Sequence, residues 1–271
     1  MIKGLGIEGI YVIHAKKGYE KHEQHINELF NKHNFDFKFI TDGEPDNFTQ
    51  ELLEKYFTGE YNFPIGQLSC TLNHILAYEQ VAANKNKYAL IFENDPFFLG
   101  DFVKKIEKII KEVEYNSLDG FIISLENTSL RFPSYWITKP EQVLYRAKSG
   151  RCAGAYLIDL TGANNILDEL KRNKCHTIID TWHNSLIDKG IIKMYWAHPP
   201  LVEQGSHNGQ LNSVISSKQK SVLRRIQWFC QKYYKTYIRR LFNDKRVISD
   251  KCGQNFCKPS KSFNNSIFRH I

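Results

Sequence analysis

A chain of 271 residues and 31.7 kDa is long enough for one α/β domain with its own core or two small ones. With 42% apolar, 24% charged and 13% aromatic residues it is neither disordered nor fibrous. The net charge of +8 divides by position: residues 1–216 hold 23 Lys and Arg against 27 Asp and Glu, a net of −4, whereas residues 217–271 hold 14 against 2, a net of +12. The excess positive charge is therefore a property of the tail alone. Six cysteines, at positions 70, 152, 175, 230, 252 and 257, are too sparse for a disulfide framework and read as reduced thiols. Cys252 and Cys257 have no second Cys or His pair at zinc-finger spacing beside them.

Ile7 to His14 is a β-branched apolar run, and Ala15 to Asn34 behind it carries Ile26, Leu29 and Phe30 at helical spacing, which predicts strand, loop and helix. Phe35 to Ile40 alternates apolar with polar residues before Thr41-Asp42-Gly43, predicting a second strand, a turn and a βαβ opening. From Ile65 to Val81 a helical face runs through Leu68, Leu72, Ile75, Leu76 and Tyr78. Tyr88 to Phe92 is continuously apolar and stops at Glu93-Asn94-Asp95, as expected of a strand buried on both faces of a parallel sheet. A helix over Asp101 to Val113 and a strand over Phe121 to Leu125 follow. Glu126 to Gly150, with Pro133 and Pro140, reads as a loop or short hairpin. Its Tyr135, Trp136 and Tyr145 suit either core filling or stacking on a sugar face. A strand over Ala153 to Leu160, a helix from a Thr161 cap to Arg172, a helix over Thr177 to Asp188 and a strand over Lys193 to Trp196 complete the series. This alternation predicts an α/β fold with a Rossmann-type, mainly parallel sheet flanked by helices.

In such sheets ligands lie beyond the carboxyl ends of the strands, and Glu93-Asn94-Asp95 stands there. Two carboxylates one residue apart can face one side and offer hard oxygen ligands to Mg²⁺ or Mn²⁺; the alternative is an acidic loop that favours the next helix start. Lys16, Lys17 and Lys21 follow the first strand, where they can meet a phosphate or form a solvated face. His74 reads as a satisfied polar residue rather than a ligand, and His207 as a late metal contact or an exposed loop histidine. Asp180 is either a functional carboxylate or the cap of a helix over Thr181 to Ile187.

Several motifs occur in a recognisable order: the Ile10-Tyr11-Val12-Ile13 strand, Pro64-Ile65-Gly66-Gln67-Leu68-Ser69-Cys70-Thr71-Leu72-Asn73-His74, Ala89 to Asp95, Gly154-Ala155-Tyr156-Leu157-Ile158, Ile179-Asp180, and Pro200-Leu201-Val202-Glu203-Gln204. Together, over residues 7–215, they resemble family 25 glycosyltransferases, the lipooligosaccharide galactosyltransferase group. The sequence departs from the family patterns where Asn94 replaces the middle residue of E-D-D, Asn73 replaces the serine before His74, and Gln67 to Ser69 alter the segment before Cys70.

The resemblance implies a GT-A-like catalytic domain, a UDP-sugar donor, a divalent ion (Mn²⁺ or Mg²⁺) and a glycolipid or oligosaccharide acceptor. It also implies inverting transfer of a hexose, galactose from UDP-galactose in the first instance; a non-catalytic nucleotide-sugar or glycan-binding relative is the alternative. On this reading Asp95, Glu93 and His207 serve the metal. Ile13, His14, Lys16, Lys21, Thr41, Asp42, Asn73, Glu93 and Asn94 serve the donor. Asp180, then Glu126, is the candidate base.

Beyond this expected domain of 1–216, Ser221 to Phe242 places Val222, Ile226, Phe229, Tyr233, Tyr237 and Leu241 near one helical face. Arg224, Arg225, Lys232, Lys235, Arg239 and Arg240 surround them, the pattern of a basic amphipathic helix. Attraction to anionic lipid adds about 1 kcal/mol per basic group, so segment 217–271 is expected to hold a cytoplasmic protein peripherally on the anionic inner leaflet. A helix packed on the domain with its charges solvated is the alternative. No signal peptide or transmembrane run is apparent, and no RNA-recognition motif accompanies the basic stretch, so nucleic acid is not an expected partner.

Overall fold

A computed structural model describes residues 2–59, 63–211, 222–242 and 245–248. In chain order the elements are β1 (Ile7–Ile13), α1 (Glu20–Lys32), β2 (Lys38–Ile40), α2 (Gln50–Tyr56), α3 (Ile65–Ala83), β3 (Tyr88–Glu93), β4 (Pro96–Phe98), α4 (Phe102–Tyr115) and β5 (Phe121–Ser124). Then come β6 (Leu144–Ala147), β7 (Ala155–Asp159), α5 (Leu160–Asn173), α6 (Ile179–Asp188), β8 (Lys193–Ala197), β9 (Val202–Gln204), α7 (Gly205–Asn208) and α8 (Val222–Tyr233). The main sheet has the order β2-β1-β3-β7-β5-β8-β6, and β4 pairs with β9 in a separate ribbon.

β1 is parallel to β2 and β3, and β5 to β8, so the βαβ opening is present. β7 runs antiparallel to β3 and β5, and β6 antiparallel to β8. The sheet is therefore mixed, with five strands in one direction and two opposed. The stretch read as a loop or short hairpin contains one edge strand, β6, whose four residues are too few to show a period and which is defined by its pairing with β8.

β3 shows why its sequence is continuously apolar. Leu90 and Phe92 pack with Ile26 and Phe30 of α1 and Ile106 and Ile109 of α4, while Ala89 and Ile91 pack with Leu72 and Ile75 of α3 and Ile166 of α5. Helices cover both faces, and each alternate residue has an apolar layer to meet. Asp101 caps α4, its carboxylate accepting the Lys104 N–H at 3.0 Å. The cap of α5 is Asp159 rather than Thr161: it accepts the Gly162 N–H at 3.1 Å and also the Gly120 and Phe121 N–H groups. As the last residue of β7, Asp159 thereby fixes both the helix start and the neighbouring strand.

After residues 212–221, which lie outside the described part together with the boundary expected at 216, α8 continues through a wide helical turn, Tyr234–Ile238, to Leu241. Val222, Ile226, Phe229, Tyr233, Tyr237 and Leu241 are each more than half exposed, so the apolar stripe read in the sequence faces outward. The far end is packed. Arg240 donates to the Pro133 carbonyl at 2.7 Å and lies 4.1 Å from the Tyr135 ring, and Trp136 donates to the Leu241 carbonyl. Val247 is buried in a bridge to Ala147 of β6. Tyr135 and Trp136 thus face the tail, while Tyr145 belongs to the core. Among the described residues no helix is long and apolar enough to cross a membrane.

Candidate active site

Register brings the site together. Ile13 pairs with Ile40 on one side and Glu93 on the other, so His14, Thr41 and Asn94 emerge at one edge of the sheet. Antiparallel β7 begins at the same edge, with Ala155 opposite Phe92, and this returns the Cys152–Gly154 segment to it. A cleft of about 430 Å³ opens there, bounded by β1, the turn after β2, the start of α3 and the end of β3.

Of the residues expected at the donor, Ile13, His14, Asn73, Glu93 and Asn94 line this cleft. Lys16 and Lys21 are exposed outside it, and Lys17 lines it instead. Lys16 gives its backbone N–H to Glu44 at 2.6 Å. Thr41 and Asp42 form the turn that presents Glu44 and Asp46, which line the wall; the Thr41 carbonyl accepts from Glu44 N and the Asp42 carbonyl from Asn47 Nδ2. Asn73 accepts the Gly43 N–H at 2.8 Å, tying α3 to this turn so closely that a Cβ on Gly43 would lie 2.7 Å from the same oxygen. His14 lies 3.5 Å from both Asn94 Nδ2 and Glu23. Burial lowers its pKa against the pull of Glu23 and Glu44.

The carboxylates of Glu93 and Asp95 are held differently. Glu93 Oε2 accepts from Gln204 Nε2 at 2.7 Å, and Oε1 faces His74 Nε2 at 3.7 Å and the Cys70 thiol at 3.8 Å. Burial pushes Glu93 up, but His74, His207 and Gln204 outweigh it and hold the group below the usual glutamate range. Asp95 is buried: Oδ2 accepts the Ser206 N–H at 2.8 Å, its carbonyl accepts the Gly205 N–H, and Oδ1 has no hydrogen-bond partner. Burial and the charge of Glu93 push Asp95 up to about 6. His207 is exposed on α7, where its charge reaches Glu93. Among the described residues, the three side chains whose ligand atoms come within 4.8 Å of one another are Cys70, His74 and Glu93, not Asp95, Glu93 and His207.

Glu126 and Asp180 separate by environment. Glu126 is fully buried, accepts the Gly154 N–H at 2.9 Å and is pushed up to about 8 by burial and by the charges of Asp180 and Glu93. Asp180 stands in the first turn of α6, whose cap position is Ile178, so it is not the cap. It is partly exposed, accepts from Ala153 N and the Cys152 thiol, and is pushed up to about 6 by burial and by Glu93. Cys152 reaches its position with φ at 98°, a conformation that side-chain-bearing residues seldom adopt. One short segment, Cys152–Gly154, thus holds both carboxyl groups.

Gly154 also explains why its sequence position is a glycine. A Cβ there would stand 2.4 Å from the Gln204 amide, which is buried and bound to both Glu93 and Thr128. Gly154→Ala is expected to displace Gln204 and lower stability by about 1–3 kcal/mol, the cost of leaving such groups unpaired. Chemical denaturation checks this.

Residues not singled out as site residues from the sequence complete the arrangement. Arg151 is fully buried and donates to the Ser124 and Ala197 carbonyls at 2.6 and 3.2 Å, and burial lowers it to about 10. Behind Glu93 runs a buried chain: His74 Nδ1 to Tyr156 OH at 2.7 Å, Tyr156 OH to Tyr78 OH at 2.7 Å, and Tyr78 OH to His183 Nε2 at 2.6 Å. The available signal for the inner part was the spacing of Cys70 and His74, four residues apart and so on one face of α3.

The model of glycosyltransferase family 25, described as a lipopolysaccharide-biosynthesis protein family, matches residues 7–182. A Haemophilus influenzae protein named "Putative glycosyltransferase" is 28% identical over 170 residues, 60% of this chain and 58% of that protein. The chain thus spans less than two thirds of this relative's length. The match runs from β1 into α6 and includes Glu93, Asp95, Glu126 and Asp180. The chain belongs to glycosyltransferase family 25 of lipopolysaccharide biosynthesis.

Proposed function

We propose that the protein is a divalent-metal-dependent, inverting hexosyltransferase that moves galactose from UDP-galactose onto a lipopolysaccharide or lipooligosaccharide acceptor. The observation that carries this reading is the Oδ1 of Asp95, buried and without a hydrogen-bond partner, one residue beyond the Asn94 that lines the strand-end cleft. An ionised oxygen without hydrogen bonds in a buried place suits a hard cation. Glu93 adds negative charge nearby, although both its oxygens already face other side chains. Asp95, with Glu93 behind it, would hold Mn²⁺ or Mg²⁺, which when bound neutralises charge on the departing diphosphate.

The chain's own groups supply the rest. Asn94 and Lys17, both lining the cleft, offer an amide and an ammonium to ribose or phosphate oxygens. Asp180, ionised above about pH 6 and partly open, takes the proton of the acceptor hydroxyl as that oxygen attacks the anomeric carbon opposite the leaving group, and a single displacement inverts the centre. Glu126, whose neutral form burial favours, is the poorer candidate for that proton and instead fixes Gly154. Incubation with radiolabelled UDP-hexoses, Mn²⁺ and lipooligosaccharide should show transfer from UDP-galactose first. A folded protein that binds UDP but turns over no donor is instead a nucleotide-sugar-binding relative.

The exposed stripe of Val222, Ile226, Phe229 and Tyr233, with basic neighbours, supports attachment to an anionic membrane face. The full chain is expected to sediment with phosphatidylglycerol vesicles and to be released as salt rises, because exposed charges are screened within roughly 8 Å at physiological ionic strength. Ile226→Glu with Phe229→Glu should abolish sedimentation while keeping the packed Arg240 and Val247. Retained sedimentation would remove the stripe from the reading.

A further inference from the structure

The inner wall of the cleft holds a second set of donors unlike the oxygen of Asp95. Cys70 and His74 sit one helical turn apart on α3, and Glu93 meets them from the end of β3. In a four-coordinate ion, bonds of about 2.0–2.3 Å at tetrahedral angles set ligand atoms roughly 3.3–3.8 Å apart. Glu93 Oε1 lies 3.7 Å from His74 Nε2 and 3.8 Å from Cys70 Sγ, and all three ligand atoms lie within 4.8 Å of one another. We propose that Cys70, His74 and Glu93 bind a single thiophilic divalent cation, Zn²⁺ by its ligand set, with the remaining coordination position open to the cleft.

Two independent observations point the same way. His74 Nε2 is buried and has no hydrogen-bond partner, since 3.7 Å to Glu93 exceeds hydrogen-bond reach. Each ligand oriented from behind has an outer partner as well: Tyr156 OH holds His74 Nδ1 and Gln204 holds Glu93 Oε2. Hydrogen counting agrees. If Nδ1–H donates to Tyr156, Tyr156 to Tyr78 and Tyr78 to His183 Nε2, every bond in the chain has one proton, and an ion that displaces any proton from Nε2 to solvent meets its lone pair. Run in the opposite sense, the chain would leave an Nε2–H aimed at an oxygen out of reach. Cys70 and Glu93 both line the cleft, so an ion has access, and the thiol proton leaves to solvent as the metal–sulfur bond forms.

This site does not depend on the transferase reading, and its test is separate from donor turnover. Metal-stripped full-length protein titrated with Co²⁺ should develop sulfur-to-cobalt charge-transfer absorption that saturates at a single ion and is displaced by Zn²⁺. Cys70→Ser and His74→Ala should each abolish it, whereas Asp95→Ala and the Cys252→Ser, Cys257→Ser pair should retain it. Tyr156→Phe, which removes the outer partner of His74, should weaken Zn²⁺ binding about 10–100-fold. In wild-type protein, Zn²⁺ should slow alkylation of Cys70, read by mass spectrometry of its peptide, so the test stands even if a variant misfolds. No charge-transfer band, a band that survives Cys70→Ser, or equal alkylation with and without Zn²⁺ overturns the site.

Discussion

Asp180→Asn is expected to lower turnover by at least about 10²-fold while leaving the affinity for UDP nearly unchanged. The amide keeps the shape of the side chain and can still accept from Ala153 N, so the Cys152–Gly154 segment should stay in place. What it loses is the capacity to take a proton. Because the amide keeps the contact with Ala153 N and leaves the cleft wall unchanged, donor affinity should not follow turnover. Near-normal turnover at saturating donor and acceptor would remove Asp180 from the role of base.

The pH profile supplies a second check on the same residue. A base must be deprotonated to act, so a folded-state pKa of about 6 makes the rate rise as pH increases through 6 and level off above it. In Asp180→Asn that rise should vanish from the residual activity. Glu126, with its pKa near 8, would instead place the rise about two pH units higher. Glu126→Gln resembles the neutral form that burial favours and should keep turnover within a few-fold. A profile with its midpoint near 8, together with a large loss in Glu126→Gln, would transfer the role to Glu126.

How far the sequence discloses this site depends on which contacts are local. The β1 and β3 runs, the helical spacing of α3 and α4 and the acidic end of β3 are all legible, because periodicity reports burial directly. Asp95 and Glu93 could be placed at a strand end from that alone. The sequence does not disclose that Gln204 crosses to Glu93, since the β4–β9 ribbon that carries it joins segments more than 100 residues apart. Nor does it disclose β6, whose four residues owe their conformation to β8. Lys17 rather than Lys16 or Lys21 lines the cleft because the loop before α1 is irregular, and no period decides which way its side chains turn. The His74–Tyr156–Tyr78–His183 chain draws on α3, β7 and α6, so it exists only once the sheet and its helices have packed.

Asp95→Ala is expected to abolish Mn²⁺-dependent UDP binding, and Asn94→Asp to preserve or raise it. A buried carboxylate on a divalent ion contributes several kcal/mol of charge compensation, more than about a hundredfold in affinity. Without it the diphosphate faces Glu44, Asp46 and Glu93 along the cleft, with Lys17 among the described lining residues to offset them. Alanine also strips a partner from Ser206 N, so Asp95→Asn is the sharper variant: it can retain that hydrogen bond while losing the charge. The sign in metal-free buffer is opposite. There Asp95 adds repulsion towards the nucleotide, and UDP should bind the asparagine variant at least as well as the wild type. Asn94→Asp adds one anionic oxygen next to Asp95 and restores the acidic triplet to which the sequence is similar, which should strengthen the ion's hold. Calorimetry of UDP binding with and without Mn²⁺ reads all four cases. Equal Mn²⁺-dependent affinity in wild type and Asp95→Asn would show that the ion sits elsewhere or that the donor is bound without one.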